Sequence, residues 1–368
     1  MAYNGRLAAL DALSGKPAER PPWLLLNWGF DYIWKCAGME PWQLALGSSD
    51  TWVNAYRAAC ERHKPDAIIF DAFGAGSEDA VLMDDTFDRW LVSFEGEEYE
   101  FIKSSYTLCH KPRVPGEPRP PLRTIEDIDE RYKPGGHDPG RLRGLRAVID
   151  AVGDRTLVLP TCITGYITAC YTLGFERAMM AMVEERDFFV HLCDRFAECD
   201  GLRMREYAEA GAEAVFIADA WASADVLSPE MIREFALPYQ AISVDAAKAA
   251  GLKAILWNEG DVVPILDDEA KLNLDAFAFE QPRKGFGVTV AQVREAFGPN
   301  RCVFGNLDSE HMLLRNDPDE IRREVHRQIR ESGQGAPFVV SFGSPIPSNT
   351  PESAVDAVTD AIRSFSWE

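Results

Sequence analysis

The 368-residue sequence lacks the features of membrane-bound and disulfide-built proteins. It contains no run of about 18 or more uninterrupted apolar residues, and its first residues carry no apolar signal core. The eight cysteines are scattered, with neither a CxxC pair nor the dense spacing of small secreted domains. We therefore expect a cytoplasmic protein that does not act at a membrane.

Basic runs and phosphate loops are missing as well. Against 59 acidic side chains there are 38 basic ones, a net charge of −21, and no Lys/Arg run alternates with aromatics. This excludes nucleic acid as an expected partner. The nearest approach to a glycine-rich nucleotide loop, residues 74–77, has neither the spacing nor the lysine of one. Nicotinamide, flavin and nucleotide cofactors are therefore not expected.

What the sequence does have is eight short apolar runs, most of them separated by helical stretches. Parallel pairing follows because strand–helix–strand connections require a crossover. The pattern predicts an α/β fold, a (β/α)8 TIM barrel, as a single domain over residues 1–368. The predicted strands are residues 22–28, 66–71, 156–162, 214–219, 253–259, 275–280, 301–306 and 337–342.

One segment departs from this repeat. Residues 88–106 alternate polar and apolar side chains around Glu95-Gly96-Glu97, which predicts a β-hairpin, and a proline-rich stretch follows at residues 110–123. We expect an insertion over about residues 88–150 that forms a lid or the contact of a homodimer.

Polar residues close most of the predicted strands, where barrel enzymes place their catalytic groups. Two carboxylates on neighbouring strand ends can share a proton, act as acid and base, or bind a cation. Two of these acids could instead have purely structural roles: Glu280 could pair with Arg283 or Arg301, and Asp219 could cap a helix. The catalytic candidates are Glu259, Glu280, Asn258, Asp71 and Asp219, and Glu259 and Glu280 are also the candidate ligands of a Zn²⁺ ion.

Aromatic side chains gather beside the same strand ends. Large rings are usually core, but so many on one rim predict a flat-sided apolar pocket for an aromatic ring or a methylated cation. Tyr32 and Trp34 are expected near this mouth too. Asn306 lies where the seventh predicted strand passes into a loop, and there it could either bind substrate or hydrogen-bond the loop backbone. The substrate-binding candidates are Asn27, Trp28, Phe30, Phe73, Trp221, Trp257, Asn306 and Ser344.

Several segments, in this order, carry a family resemblance. They are Glu-Arg-Pro-Pro at 19–22, Pro-Asp-Ala-Ile-Ile-Phe at 65–70, Ser-Pro-Glu at 228–230 with Phe235 and Pro238-Tyr239, Phe-Gly-Asn-Leu-Asp at 304–308, and Thr-Pro-Glu at 350–352. In this order they resemble the uroporphyrinogen decarboxylase superfamily, which includes the decarboxylase of haem synthesis and corrinoid-linked methyltransferases. The likeness covers nearly the whole chain.

The resemblance implies roles only where residues match. The decarboxylases bind an acidic tetrapyrrole with arginines in the loop after the first strand, and residues 27–34 contain none. Their aspartate after the second strand corresponds to Asp71, while their histidine after the last strand is replaced by Ser344. Tetrapyrrole decarboxylation is therefore disfavoured.

The zinc methyltransferases of the superfamily carry a His-x-Cys-Gly motif after the fifth strand and a cysteine after the eighth. Here those places hold Asn258-Glu259-Gly260 and Ser344, so a metal would need carboxylate ligands.

The resemblance and the aromatic rim together predict a methyltransferase that uses cobalamin on a partner corrinoid protein, with an aryl methyl ether or methylated amine as the small substrate. One alternative is a cofactor-free decarboxylase of a small organic acid that uses Asp71. Another is a non-catalytic ligand-binding homologue.

Overall fold

A computed structural model describes residues 3–18, 20–28, 31–71, 80–103, 110–112, 120–133, 139–282 and 285–367. Eight strands form one sheet in which each neighbouring pair is parallel. With strands numbered along the chain, these are β1 (Leu24–Leu25), β2 (Ala67–Phe70), β7 (Leu157–Ile163), β8 (Ala214–Asp219), β9 (Lys253–Asn258), β10 (Ala276–Phe279), β11 (Cys302–Phe304) and β12 (Phe338–Val339).

The sheet closes on itself. Trp23, just before β1, forms a parallel bridge with Val340, just after β12. The N–H of Leu24 donates to the carbonyl of Val340, 2.9 Å away, and the N–H of Val340 donates to the carbonyl of Pro22, 2.8 Å away. The predicted TIM barrel is thus confirmed, with each strand inside the range expected for it or one residue beyond.

Helices surround the barrel and begin at ordinary capping residues. Ser228 and Thr289 each accept a backbone N–H of the helix that follows them, and Pro229 occupies a first-turn position. The helices are α1 (Gly5–Leu13), α2 (Pro41–Ala45), α3 (Ser49–His63), α4 (Ile125–Arg131), α5 (Pro139–Val152), α6 (Gly165–Leu173), α7 (Phe175–Glu184), α8 (Arg186–Ala197), α9 (Asp200–Glu209), α10 (Pro229–Phe235), α11 (Leu237–Ala249), α12 (Leu266–Glu269), α13 (Val290–Phe297), α14 (His311–Arg315), α15 (Pro318–Ser332) and α16 (Glu352–Arg363), with 3-10 turns at Lys35–Ala37 and Val263–Ile265.

A second, antiparallel sheet forms the insertion. Its strands are β3 (Val81–Asp85), β4 (Arg89–Phe94), β5 (Glu97–Ile102) and β6 (His110–Pro112). The predicted hairpin is confirmed: Glu95 and Gly96 join β4 to β5 with positive φ angles of 51° and 84°. The sheet begins before residue 88, and α5 contributes Leu145 and Val148 to the barrel core. The small sheet packs its own apolar cluster of Trp42, Leu46, Val92, Phe94 and Phe101.

Within the described part of the chain, no helix combines the length and the apolarity needed to cross a membrane. The cysteines in that part form no disulfide.

Candidate active site

The indole of Trp257 identifies the strand residues that face the inside of the barrel. Its N–H donates across the barrel to the carbonyl of Gly343, 3.0 Å away. Its ring lies 6.2 Å from that of Trp28, after β1, and 6.3 Å from that of Phe216 in β8. Because side chains alternate along a strand, Glu259 faces inward as well.

Glu280 lies beside Glu259, since the preceding residues Phe279 and Asn258 are partners in the β9–β10 register. Its side chain is fully buried. One carboxylate oxygen accepts the N–H of Gly260 at 2.9 Å, and the other accepts the hydroxyl of Ser344 at 3.3 Å. Two donors from separate loops therefore fix the Glu280 carboxylate within the mouth.

Close backbone approach makes this arrangement possible. A Cβ added to Gly343 would lie 2.0 Å from the backbone nitrogen of Gln281, and one added to Gly260 would lie 2.1 Å from the hydroxyl of Ser223. Gly260 also has a φ of 96°, in the region that favours glycine. The two glycines therefore let the strand ends converge on Glu280.

Asp71 is a third inward-facing acid. It follows β2, is buried, and accepts the hydroxyl of Thr161 at 2.7 Å. Thr161 is aligned with Phe216 in the register, and the Phe216 ring contacts Trp257 inside the barrel. The side chains of Asp71, Glu259 and Glu280 thus face the inside of the barrel, with Glu259 at the rim.

The predicted placement of Asp219 and Asn258 in the mouth is wrong. The two are register partners on adjacent strands, next to the inward-facing pair Ala218 and Trp257. Alternation turns their side chains to the outside of the barrel, against the helices. There Asp219 accepts the amide N–H of Gln240 at 2.9 Å.

Two residues of this outer network, Gln240 and Glu269, were missed by the sequence analysis. Glu269 in α12 is fully buried and accepts the amide of Asn258 at 2.6 Å. Asn258 also donates to the carbonyl of Ala222 at 3.1 Å, and Thr164 donates to Asp219 at 2.9 Å. The network locks the ends of β8 and β9 to α11 and α12, and so supports Glu259 from behind.

Both carboxyls of this network hold protons more tightly than usual. Burial raises the pKa of Asp219 to about 7, although hydrogen bonds from Gln240 and Thr164 lower it in part. Burial, with the nearby charge of Asp219 adding to it, raises the pKa of Glu269 to about 8. Within the described residues, one side-chain oxygen each of Gln240, Asn258 and Glu269 receives no hydrogen bond.

These raised pKa values predict that the network loses stability as the pH rises. The folded chain binds protons that the unfolded chain has released between about pH 4 and 8, so the free energy of unfolding falls through that window. We expect a loss on the order of 5 kcal/mol between pH 5.5 and 8.5 in urea titrations, from pKa values of about 7 and 8. In the double variant Asp219→Asn/Glu269→Gln, the free energy of unfolding should no longer fall in this way with pH. The same pH dependence in the variant and the parent would show that these two carboxyls are not its source.

The aromatic candidates divide between the interior and the rim. Trp28 and Trp257 form the inner pair described above. Trp221 lies on the rim, where its ring meets those of Tyr171 and Phe175 edge-on at 5.1 and 5.0 Å. Its backbone has a φ of 58°, and its carbonyl accepts the hydroxyl of Tyr166 at 2.8 Å. This contact offsets part of the strain of a bulky residue in the left-handed region.

The rim also carries Glu259. Burial, and then the negative charge of Glu259, raise the pKa of Tyr171 to about 12. Glu259 is partly exposed, unlike Glu280. Its side chain is therefore open to solvent at the mouth.

The two asparagine candidates, Asn27 and Asn306, form hydrogen bonds with the backbone of loops. Asn27 accepts the N–H groups of Tyr32 and Ile33, each at 3.2 Å. The amide of Asn306 donates to the carbonyls of Glu280 and Val288 at 3.1 and 2.9 Å. Both side chains therefore fix the loops around the mouth.

Further aromatic residues were predicted near the mouth. Phe30 and Phe73 fall outside the described residues. Tyr32 does not reach the mouth: it is fully buried, and its hydroxyl pairs with His63 of α3 at 2.9 Å.

The donor set does not fit a zinc ion at Glu259 and Glu280. Structural and catalytic zinc sites use three or more protein ligands, mostly nitrogen and sulfur. Among the residues that the structure describes, no group of three or more His, Cys, Asp or Glu side chains could hold a metal ion. Both oxygens of Glu280 already accept hydrogen bonds.

Comparison with known proteins places the chain in a family. The family model described as uroporphyrinogen decarboxylase (URO-D) matches residues 109–365, well over half of the sequence. The chain belongs to the uroporphyrinogen decarboxylase family.

Members of the uroporphyrinogen decarboxylase family with curated names are distant in sequence. The uroporphyrinogen decarboxylase of Anaeromyxobacter sp. is 27% identical over 256 residues, covering 67% of this chain and 70% of its own. The chloroplastic one of Nicotiana tabacum is 24% identical over 364 residues, covering 93% of this chain and 83% of its own. Among solved structures, a methyltransferase from Methanosarcina mazei superposes with a TM-score of 0.74 at 20% identity, covering 99% of each chain. This last likeness shows the shared fold.

Proposed function

We propose that this protein is a methyltransferase. It would move a methyl group between a small methylated substrate, an aryl methyl ether or a methylated amine, and cobalamin carried by a partner corrinoid protein. The observation that carries the proposal is the inward-facing pair Glu259 and Glu280 beside the paired indoles of Trp28 and Trp257.

Methyl transfer from oxygen or nitrogen is slow because the leaving group is poor. An acid that protonates the leaving heteroatom lowers that barrier. Glu280 is held in place by Gly260 and Ser344 and can donate this proton, while the partly exposed Glu259 can restore it from solvent.

The indole rings supply binding. Trp28 and Trp257 offer flat faces to an aromatic ring, or a negative π-face to a methylated cation. A corrinoid, when presented by its carrier, would supply the methyl acceptor or donor. The chain's own residues hold the substrate, orient its heteroatom toward Glu280 and exclude water from that acid, which is fully buried.

The alternative within the family fits less well. A tetrapyrrole with many carboxylates needs cationic partners, and residues 27–34 after β1 contain no arginine. The whole-length structural match to a protein named as a methyltransferase also supports the proposal.

The proposal predicts turnover on methyl donors with free cob(I)alamin. The purified chain should convert at least one member of a panel of methoxyaromatics and methylated amines, followed by the absorption change of the corrinoid and by loss of the methyl donor. Tight binding of a donor with no turnover across the panel would instead favour a non-catalytic ligand-binding homologue.

A cofactor-free decarboxylase remains the second candidate because Asp71 faces inward and is oriented by Thr161. Release of carbon dioxide from a small acid, with no corrinoid present, would favour this function and contradict the first.

A further inference from the structure

A cavity of about 490 Å³ opens at the end of the barrel opposite the mouth. Its base includes Asp66, which precedes β2, and Thr156, which precedes β7, so it lies at the N-terminal ends of the strands. We call it the basal pocket and define it by Tyr3, Arg20, Arg57, Lys64, Arg155 and Arg363. None of these residues takes part in the site described above.

The basal pocket is positive in a strongly negative protein. Five cationic side chains line it, against the three acids Glu61, Asp66 and Asp154, so five minus three leaves a formal charge of +2. The whole chain carries −21. A local excess of cations against that background indicates a site for an anion.

In the part of the chain that the structure describes, four of these cations form no direct ion pair, although the charge of Arg363 acts on Asp66. Arg20 pairs with Asp66 at 3.2 Å and lies over the ring of Tyr3 at 4.1 Å. The other four have no ion pair within 4.0 Å among the described residues; they are Arg57, Lys64, Arg155 and Arg363.

Nearby arginines behave differently. Arg62, on the same helix as Arg57, pairs with both Glu352 and Asp356, and Arg6 pairs with Glu213 at 2.7 Å. These four cations are exposed around one cavity, and a bound anion would reduce their mutual repulsion, which solvent already screens in part.

We propose that the basal pocket binds a small phosphate monoester. At neutral pH this group carries close to two negative charges, which matches the formal +2 of the pocket. Arginine presents a planar fork of donors that fits phosphate oxygens, and three arginines with one lysine surround the space.

The dimensions favour an ester over free phosphate. The cavity falls within the range of about 300–1,000 Å³ that small-molecule sites occupy. Apolar groups of Pro65, Ala151 and Val152 share the lining with the ring of Tyr3. They leave room for a compact organic group beside the phosphate.

Isothermal titration of the full-length chain with phenyl phosphate tests the proposal. We expect saturable binding that weakens as sodium chloride is raised, because exposed charges are screened. The variant Arg57→Gln/Arg155→Gln should bind about tenfold or more weakly, because it removes two of the five cations that line the pocket. The control Arg146→Gln removes an exposed arginine of α5 outside the pocket and should bind as the parent does.

Several outcomes would overturn the proposal. Absence of saturable binding, or equal loss in Arg146→Gln, would show that the pocket does not hold phosphate. Equal affinity for succinate would show a general dianion site instead. If inorganic phosphate bound as tightly as phenyl phosphate, the pocket would not recognise the organic part of an ester. Circular dichroism of each variant separates lost binding from lost folding.

Discussion

Replacing Glu280 by glutamine is expected to reduce methyl transfer by roughly 10²- to 10⁴-fold, the range that general acid catalysis contributes. Glutamine has almost the same shape and keeps an oxygen to accept the N–H of Gly260, and the hydroxyl of Ser344 can rotate to accept from its amide. The fold should therefore persist while the proton is lost. The measurement is kcat on whichever donor of the panel is turned over, with the melting temperature recorded alongside.

Two further variants sharpen this experiment. Glu259→Gln should also reduce kcat, and its effect should be smaller at low pH if Glu259 only restores the proton to Glu280. Glu295→Gln alters an exposed acid of α13 and should leave turnover unchanged. Full activity of Glu280→Gln, with an unaltered structure, would remove Glu280 from the mechanism.

Gly343→Ala should be the most damaging single change to stability at the mouth. The added methyl group would lie 2.0 Å from the backbone nitrogen of Gln281 and 2.7 Å from the carbonyl carbon of Glu280. Backbone cannot rotate away as a side chain can, so the ends of β10 and β12 must separate. We expect a loss of about 3 kcal/mol or more in the free energy of unfolding, at the upper end for overpacked sites.

Gly287→Ala is the matched control for this substitution. Gly287 follows β10 as Gly343 follows β12, and among the described residues the atom nearest to an added Cβ would be the Cβ of Pro282, 3.8 Å away, an ordinary contact. Urea denaturation should show a large loss in the free energy of unfolding for Gly343→Ala and little change for Gly287→Ala. Similar shifts in the two would indicate that close approach at Gly343 does not control the mouth.

Much of the barrel was predictable because each strand is a short apolar run, and most of these runs end in a polar residue. The same pattern misled the assignment of Asp219 and Asn258. Asn258 and Glu259 are neighbours in the chain, so alternation allows only one of them to face inward. The decisive observation is the position of Trp257, whose indole reaches Gly343 across the barrel. When both faces of a strand are buried and apolar, the sequence does not reveal which face points into the barrel and which packs against the helices.

Glu269 was missed for a different reason. It ends the acidic run Asp267-Asp268-Glu269, which is typical of a solvated helix face. One signal was available: Glu269 stands three residues after Leu266, on the same side of a helical turn, and both are buried in α12. Its partners Gln240 and Asn258 are distant in sequence. Only the three-dimensional packing brings them together.

The bridge from Trp23 to Val340 joins the beginning of the barrel to its end, and this bears on how the chain matures. During synthesis on the ribosome, the first strand emerges long before its partner has been translated. Until then its edge has no neighbour on one side, which leaves backbone groups open to association with other chains. The bridge to Val340 therefore removes this open edge only after the last strand has been synthesised.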